Sequence, residues 1–224
     1  MRHLFQNSEF IILAILLLLI AGMSQISPVF FTMENLFDIL RSSTFVGIYS
    51  IGFLVVLISG GVDISFTATA TVAQYALGLL LMSNAAHPVV IIAVPLSIGI
   101  CLGAINAGVI NWLKAPAIII TIASYNAYYG SAQFVSKGKW LYDFPKWFVD
   151  FPNIQVISYT AENGTRNGLS ILTVIWFVTT FIGGVLLRYS VLGRKIYAIG
   201  GSLESARRVG INVGRIRLFC YAFL

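Results

Sequence analysis

The sequence has 224 residues, of which 58% are hydrophobic and 10% are charged, and its mean hydropathy is +0.89. Such a composition lies outside the range of soluble globular domains and excludes that class. The net charge of +6 would suit nucleic-acid binding, but the basic residues lie beside long apolar segments and not along a polar face, which argues against it. We therefore predict an integral membrane protein that contacts the lipid bilayer and no nucleic acid.

Six apolar segments are each long enough to cross a hydrocarbon core of about 30 Å as a helix. They comprise residues 10–30, 37–59, 65–83, 89–111, 116–136 and 169–187. A seventh apolar segment begins near Ile216 and reaches Leu224, the last residue. None has the alternating pattern of barrel strands, so the backbone amides have to be paired within helices. We predict an all-α fold: a polytopic transmembrane helical bundle with six complete spans and the start of a seventh, forming one domain over residues 1–224 that is the N-terminal portion of a longer protein.

The basic residues predict how the chain is oriented. From Arg188 onward there are seven basic residues against Glu204 alone, so this stretch carries the whole net charge. Lys and Arg concentrate in cytoplasmic loops, and counting six spans from a cytoplasmic Arg2 also places this stretch in the cytoplasm. A cleaved signal peptide is the alternative for the first apolar segment, but apolar character resumes through residues 26–31, which favours an uncleaved span. The N-terminus is therefore predicted to be cytoplasmic.

The longest predicted outer loop covers residues 137–168. It is rich in Trp, Tyr and Phe, and its four basic and three acidic residues nearly cancel. Aromatic residues beside spans are typical of an interfacial belt. A docking surface for a soluble protein is the alternative.

Asp63 is the acidic residue that stands out beside the apolar spans. Gly60 and Gly61 interrupt the second span just before it. A carboxyl group at the start of the helix that begins near Ile64 would accept hydrogen bonds from free backbone amides. Helix capping, ion or proton coupling, and a contact within a coupling machinery all remain open for this residue.

Polar side chains within the predicted spans are candidates for a translocation pathway. They include Gln74, Asn106 and Asn126. Each would either bond to a neighbouring helix or line the passage. Gly99 and Gly103 precede Asn106 with the spacing of small residues that pack helices closely.

The segment after the sixth span, residues 188–215, contains the signals of a short surface helix. Ser202 suits the N-cap, Glu204 the first turn, and Gly210 the C′ position. Leu203, Ala206 and Val209 recur every three residues and predict a narrow apolar stripe. So short a helix is unstable alone in water and needs a surface on which to dock. An ordinary cytoplasmic connector is the alternative.

This segment closely resembles the cytoplasmic coupling loop of permease subunits from bacterial ABC importers of the monosaccharide type, a group that includes the ribose, xylose, galactoside and autoinducer-2 systems. The matching positions are Leu192, Gly193, Arg194, Tyr197, Ala198, Gly200, Gly201, Glu204, Ala206, Arg207, Gly210 and Ile211, to which Ser202 is added as the N-cap. Two earlier stretches strengthen the resemblance. The first is SGGVDIS, with the signature residues Gly60, Gly61, Asp63 and Ser65, and the second covers residues 106–130.

The resemblance implies a membrane-spanning permease of an ATP-driven importer for a monosaccharide or related small polyol, in the bacterial inner membrane. It implies three partners: a cytoplasmic ABC ATPase subunit, a second permease copy or homologue, and a periplasmic sugar-binding protein. The sequence has no phosphate-binding G-x-x-x-x-G-K-[ST] loop and no H-E-x-x-H motif. We therefore expect a transporter subunit and not an enzyme, without cofactor or metal, with ATP hydrolysis on the partner. The alternative is an ion-coupled secondary transporter that uses Asp63.

Overall fold

The computed structural model describes residues 8–83, 88–160 and 166–224. The helices are α1 (Ser8–Ile26), α2 (Met33–Ile58), α3 (Phe66–Met82), α4 (Pro88–Leu113), α5 (Ala117–Ser136), α6 (Lys146–Asp150), α7 (Ile171–Tyr189), α8 (Val191–Gly201), α9 (Leu203–Arg208) and α10 (Val213–Phe223). A short 3₁₀ turn (Phe151–Asn153) follows α6, and strands β1 (Gln155–Thr160) and β2 (Arg166–Ser170) precede α7. Arg2, on which the predicted orientation partly depends, lies outside these ranges.

The described chain is mostly helical and apolar, as predicted for a helical membrane protein. Each of the six predicted spans contains one long helix, namely α1 to α5 and α7. Three of them, α2, α4 and α7, are long and apolar enough by themselves to cross a membrane. The number of spans, six with the start of a seventh, stays a prediction.

The predicted outer loop contains a β-hairpin, which the prediction of an all-α fold does not include. Strands β1 and β2 pair antiparallel, with Ile157 opposite Leu169 and an irregularity between Gln155 and Ile157. Val156, Ile157 and Tyr159 belong to the β-branched and aromatic residues that favour strands. The Asn163 and Gly164 dipeptide between the strands is a common hairpin signal, although it lies outside the described residues.

The chain divides into two compact units. The smaller unit contains the residues up to Thr44 together with Asn153–Val174. Within it, Arg41 Nη2 lies 3.2 Å from Asp38 Oδ1, and Arg41 Nη1 donates a hydrogen bond to Asn153 Oδ1 at 3.1 Å. These contacts join the first turns of α2 to the segment before the hairpin. Helix α2 contains Arg41 and begins at Met33, several residues before the apolar segment predicted to start at residue 37.

The larger unit contains Phe45–Pro152 and Ile175–Leu224. Its buried core joins α2, α4, α8, α9 and α10 and includes Val55, Ile110, Ile196, Ala206 and Tyr221. Helix α10 passes so close to α4 that a methyl group on Gly103 would overlap the backbone carbonyl of Tyr221. The close packing predicted at Gly103 is therefore confirmed, whereas nothing lies within 4 Å of the equivalent position at Gly99.

Candidate functional site

A buried cluster of polar side chains surrounds Asp63, which is only 2% exposed. Asp63 Oδ1 accepts hydrogen bonds from the backbone amide of Ser65 at 2.7 Å and from its hydroxyl at 2.6 Å. The predicted role of Asp63 as an acceptor at a helix start is thus present. However, α3 begins at Phe66 and not near Ile64, and Ser65 itself occupies the N-cap position.

The cluster extends to α4 and α5 through Asn106. Asn106 Nδ2 donates to Ser65 Oγ at 2.7 Å and to Asp63 Oδ2 at 3.4 Å, while the hydroxyl of Tyr128 donates to Asn106 Oδ1 at 2.9 Å. Thr121 on α5 adds a hydrogen bond from its hydroxyl to the carbonyl oxygen of Val62 at 3.3 Å. Asn106 therefore bonds to neighbouring elements, which is one of the two roles predicted for it. The cluster holds the α2–α3 connection, α4 and α5 together.

A cavity of about 680 Å³ opens beside this cluster, between α2, α3, α4 and α10. Most of its lining is apolar, and its polar side chains include Asp63 and Gln74. The hydroxyl of Tyr221, which also lines it, is buried and has no hydrogen-bond partner among the described residues. The sequence does not predict this position of Tyr221, because nothing in its local sequence distinguishes it from a tyrosine facing lipid.

Gln74 is the predicted pathway residue that lines this cavity. It also lines a second cavity of about 450 Å³, together with Tyr129, Gln133 and Trp140. Asn126 lines neither cavity; it is exposed on α5, and its Nδ2 donates to the carbonyl oxygen of Ile122 within the same helix. Asn106 also lines neither of them.

The predicted coupling loop contains two short helices, α8 and α9, where the sequence predicts one. Helix α8 starts directly after α7, and the hydroxyl of Ser190 caps it by accepting from the amide of Gly193 at 2.8 Å. Its buried face contains Ile196 and Ile199, while Arg194 is exposed. The Ser190 cap followed by apolar residues at helical spacing was the signal that would have predicted it.

Helix α9 has the predicted bounds and caps. Ser202 Oγ accepts from the amide of Ser205 at 3.2 Å. At the other end, Gly210 has φ +80°. The amide of Gly210 donates to the carbonyl oxygen of Arg207, and the amide of Ile211 donates to the carbonyl oxygen of Ala206, each at 3.0 Å. This pair of bonds is a Schellman motif, which ends the helix at this point.

Only part of the predicted apolar stripe of α9 is buried. Ala206 is 1% exposed and Leu203 is half-buried, so both pack against the protein itself. Val209 is 74% exposed, because it follows the last helical residue and turns away from this face. The charged side chains Glu204, Arg207 and Arg208 are exposed. Helix α9 is therefore packed against the core of the larger unit through Ala206, and its charged face is exposed.

The matched positions of the coupling loop fall into three groups by exposure. Gly193 and Ala206 are buried; Leu192, Ala198 and Ile211 are half-buried; Arg194, Tyr197, Gly200, Gly201, Ser202, Glu204, Arg207 and Gly210 are exposed. Most of this loop is thus accessible from outside the larger unit.

The glycine signature and the coupling loop touch each other. A methyl group on Gly200 would overlap the carbonyl oxygen of Ile58, and one on Gly60, whose φ is +81°, would lie 3.4 Å from the α-carbon of Gly200. A methyl group on Gly61 would lie 2.6 Å from the Tyr221 hydroxyl. Since Asp63 bonds to Asn106, the three sequence stretches that carry the resemblance form one continuous assembly in the larger unit.

The connection between α4 and α5 reaches the same end of the larger unit. Lys114, which follows α4, and Arg207 on α9 line a common cavity of about 350 Å³. Because Gly60 also adjoins Gly200, the segments after α2, α4 and α7 converge there. Alternating crossings of a membrane would bring these segments to one side.

Within the described ranges, no three His, Cys, Asp or Glu side chains lie close enough together to hold a metal ion.

The known proteins to which this chain is similar are described as permease components. A family model described as "branched-chain amino acid transport system / permease component" matches residues 35–224. The autoinducer 2 import system permease protein LsrC of Enterobacter sp. (strain 638) is 26% identical over 222 residues, covering 99% of this chain and 61% of the relative. LsrD of Escherichia coli (strain K12) is 29% identical over 220 residues, covering 96% of this chain and 63% of the relative. No solved structure matches the chain significantly.

The chain therefore spans less than two thirds of the length of these curated relatives. Autoinducer-2 permeases are among the systems to which the three motifs point, so the resemblance drawn from the motifs is confirmed. The matched region contains the glycine signature, the Asn106 stretch and the coupling loop. By this match the chain belongs to the permease-component family of the branched-chain amino acid transport systems.

Proposed function

We propose that this chain is the membrane-spanning permease subunit of an ATP-driven importer that moves a monosaccharide or related small polyol across the bacterial inner membrane. The observation that carries the proposal is the coupling loop: α9 exposes a charged face while Ala206, its buried residue, fixes it to the helices. Family membership supports the same interpretation. The N-terminus and the coupling loop would both be cytoplasmic.

The proposed partners follow from a chain that transports without hydrolysing ATP. A cytoplasmic ABC ATPase subunit would receive α9 in a groove, and a periplasmic sugar-binding protein would deliver the substrate. A second permease copy or homologue would complete the translocation pathway. The relatives LsrC and LsrD are named as permease proteins of autoinducer 2 import systems.

The packing of the larger unit suggests how a force on α9 would reach the pathway. Helix α9 contacts α8 and α10, and α8 touches the end of α2 where Gly200 meets Ile58. Helix α10 is packed tightly on α4 at Gly103. Since α2, α4 and α10 contribute lining to the 680 Å³ cavity, a rigid-body movement of α8 and α9 would change the access to that cavity, as alternating access requires.

Gln74 is our proposed pathway residue, because it lines both the 680 Å³ and the 450 Å³ cavities. An amide can donate to and accept from the hydroxyl groups of a polyol. Asn106 would instead maintain the wall of the pathway through its bonds to Asp63 and Ser65.

A cross-linking experiment tests the proposed contact with the ATPase. Val209 is the suitable position for a cysteine because it is exposed, whereas Ala206 at the centre of the helix is buried. The variant Val209→Cys is made with Cys101→Ala, since Cys101 is exposed and Cys220 is buried. We expect a specific adduct with the co-expressed ATPase subunit. The control, Trp140→Cys in the predicted outer loop, is also exposed and should give none. An adduct at residue 140 but not at 209 would contradict the proposal.

The alternative, an ion-coupled secondary transporter that uses Asp63, is not favoured. Both oxygens of the Asp63 carboxyl group already accept hydrogen bonds from Ser65 and Asn106. Transport in membrane vesicles that lack every ABC ATPase, and its loss in Asp63→Asn, would support this alternative over the importer.

A further inference from the structure

Three basic side chains from three helical segments line one cavity. Lys114 follows α4, Arg207 belongs to α9 and Arg217 to α10, and the cavity between them has a volume of about 350 Å³. In the described part of the chain, no acidic side chain lines it. The importer function described above uses Arg207 only as part of the coupling loop and assigns nothing to this cavity.

Hydrogen bonds to α4 position one of these three cations, Arg217, which is half-buried. Arg217 Nη1 donates to Asn111 Oδ1 at 2.7 Å, and Asn111 Nδ2 donates in turn to the carbonyl oxygen of Gly214 at 3.2 Å. These bonds hold the guanidinium group of Arg217 at the edge of α4. Lys114 and Arg207 are exposed, and the backbone of Lys114 is in the left-handed region at φ +52°.

These three cations have no ion pair with any described residue, in contrast to Arg208, which pairs with Glu204 at 2.5 Å. Like charges that share a cavity repel one another, and an anion between them removes that cost. A phosphate group suits the site best, because its oxygens accept several charge-assisted hydrogen bonds from Arg and Lys at once.

The surroundings of the cavity indicate where the phosphate comes from. Trp112 and Leu113, directly before Lys114, are 80% and 51% exposed, and Leu218 beside Arg217 is also exposed. Exposed apolar side chains with a tryptophan next to basic residues are typical of the membrane surface. Basic pockets between spans on the cytoplasmic side hold anionic lipid headgroups.

We propose that the cavity formed by Lys114, Arg207 and Arg217 binds the phosphate of an anionic phospholipid, which links α9 to α4 and α10. The lipid's acyl chains lie along Trp112 and Leu113. The coupling helix is thereby anchored to the membrane surface as well as to the protein through Ala206. This lipid site rests on the proposed cytoplasmic orientation of this face, but not on the transported substrate or on the ATPase.

Native mass spectrometry of the full chain, purified in detergent, tests the site. The protein is mixed with phosphatidylglycerol or with zwitterionic phosphatidylethanolamine, and the bound fraction is measured. We expect preferential retention of phosphatidylglycerol, and a loss of affinity of about fivefold for each of Lys114→Gln and Arg207→Gln. The matched control is Arg208→Gln, which removes the same charge one residue away from the cavity lining and should leave retention unchanged.

Conservative variants guard against misfolding. Lys114→Arg and Arg207→Lys keep the charges, so both should retain phosphatidylglycerol even if a Gln variant fails to fold. Equal losses in Arg208→Gln and Arg207→Gln would overturn the proposal, because they would indicate general surface attraction. Displacement of the lipid by inorganic phosphate at equal concentration would also overturn it in favour of a soluble anion. Retention of neither lipid would overturn the proposal as well. A cysteine at residue 114 that cross-links to an acidic segment of the ATPase would then indicate a protein partner in place of the lipid.

Discussion

Asp63 shows how one buried polar residue can organise several membrane helices. A carboxyl group in an apolar protein interior is stable only when its oxygens are satisfied. Asp63 meets this requirement through Ser65 and Asn106, and Asn106 in turn accepts from Tyr128. The position that the family resemblance marks as a signature is therefore explained by the packing of α3, α4 and α5.

Replacing Asp63 by Asn should lower the stability of the protein. An amide at this position presents a donor either to Nδ2 of Asn106 or to the amide and hydroxyl donors of Ser65, so at least one buried bond is lost. We expect the free energy of unfolding to fall by about 1–3 kcal/mol, seen as a lower midpoint in thermal unfolding of the detergent-solubilised protein.

The matched control is Asp38→Asn. Its side chain is 69% exposed and contacts Arg41 at the surface, so the same substitution should change the midpoint little. An unchanged midpoint in Asp63→Asn would show that the cluster does not stabilise the fold.

At the scale of elements, helices α8 and α9 pack as a pair against the core of the larger unit. Helix α8 buries Ile196 and Ile199 in the core, and α9 adds Ala206. Gly200 lets α8 approach the end of α2 closely enough for backbone contact with Ile58. We interpret the contact of Gly200 with Ile58 as the one through which the pair α8 and α9 moves together with α2.

The substitution Gly200→Ala tests that contact. The added methyl group would overlap the carbonyl oxygen of Ile58, a backbone atom that moves only if α8 and α2 separate. We expect a loss of about 1–3 kcal/mol in the free energy of unfolding, as for other overpacked sites, and weaker coupling of ATP hydrolysis to transport.

Gly201 offers the control for this substitution. It is the next residue in the same helix, and nothing lies within 4 Å of the position that an added methyl group would occupy. Gly201→Ala should therefore leave the thermal midpoint unchanged or slightly raise it, since alanine favours helix. Equal destabilisation by both substitutions would rule out the proposed contact as the cause.

At the scale of the whole molecule, the predicted topology places the coupling loop and the aromatic outer loop on opposite sides of the membrane. The basic residues Lys114, Arg207 and Arg217 meet in one cavity, which fits a single cytoplasmic face. Trp140 belongs to the other predicted face and is 81% exposed. The orientation itself remains a prediction from charge and span number.

Labelling of intact cells with a membrane-impermeant maleimide checks this orientation. With Cys101 replaced by Ala, a cysteine at Trp140 should react from outside, and a cysteine at Val209 should react only after the cells are permeabilised. Both positions are exposed, so a difference in reactivity reports sidedness and not burial. Reaction of residue 209 in intact cells would reverse the proposed topology and remove the basis for coupling to a cytoplasmic ATPase.

Several features of the chain were predictable because they depend on residues close together in sequence. The long helices follow from apolar segments whose backbone must pair internally. The bounds of α9 follow from Ser202 at its start and Gly210 at its end, each acting within four residues. Helix α8 and the hairpin also have local signals in the sequence, although neither element is among the predicted ones.

The sequence by itself thus determined the membrane class, the long helical segments, the caps of α9 and the three motifs of the family. Only the tertiary structure decided that Asp63 bonds to Asn106, that Gly200 rests on Ile58, and that Lys114 shares a cavity with Arg207 and Arg217. The physical reason is distance along the chain: partners separated by 43 residues in the first case meet only when helices pack, and no local pattern specifies which side chains then face each other.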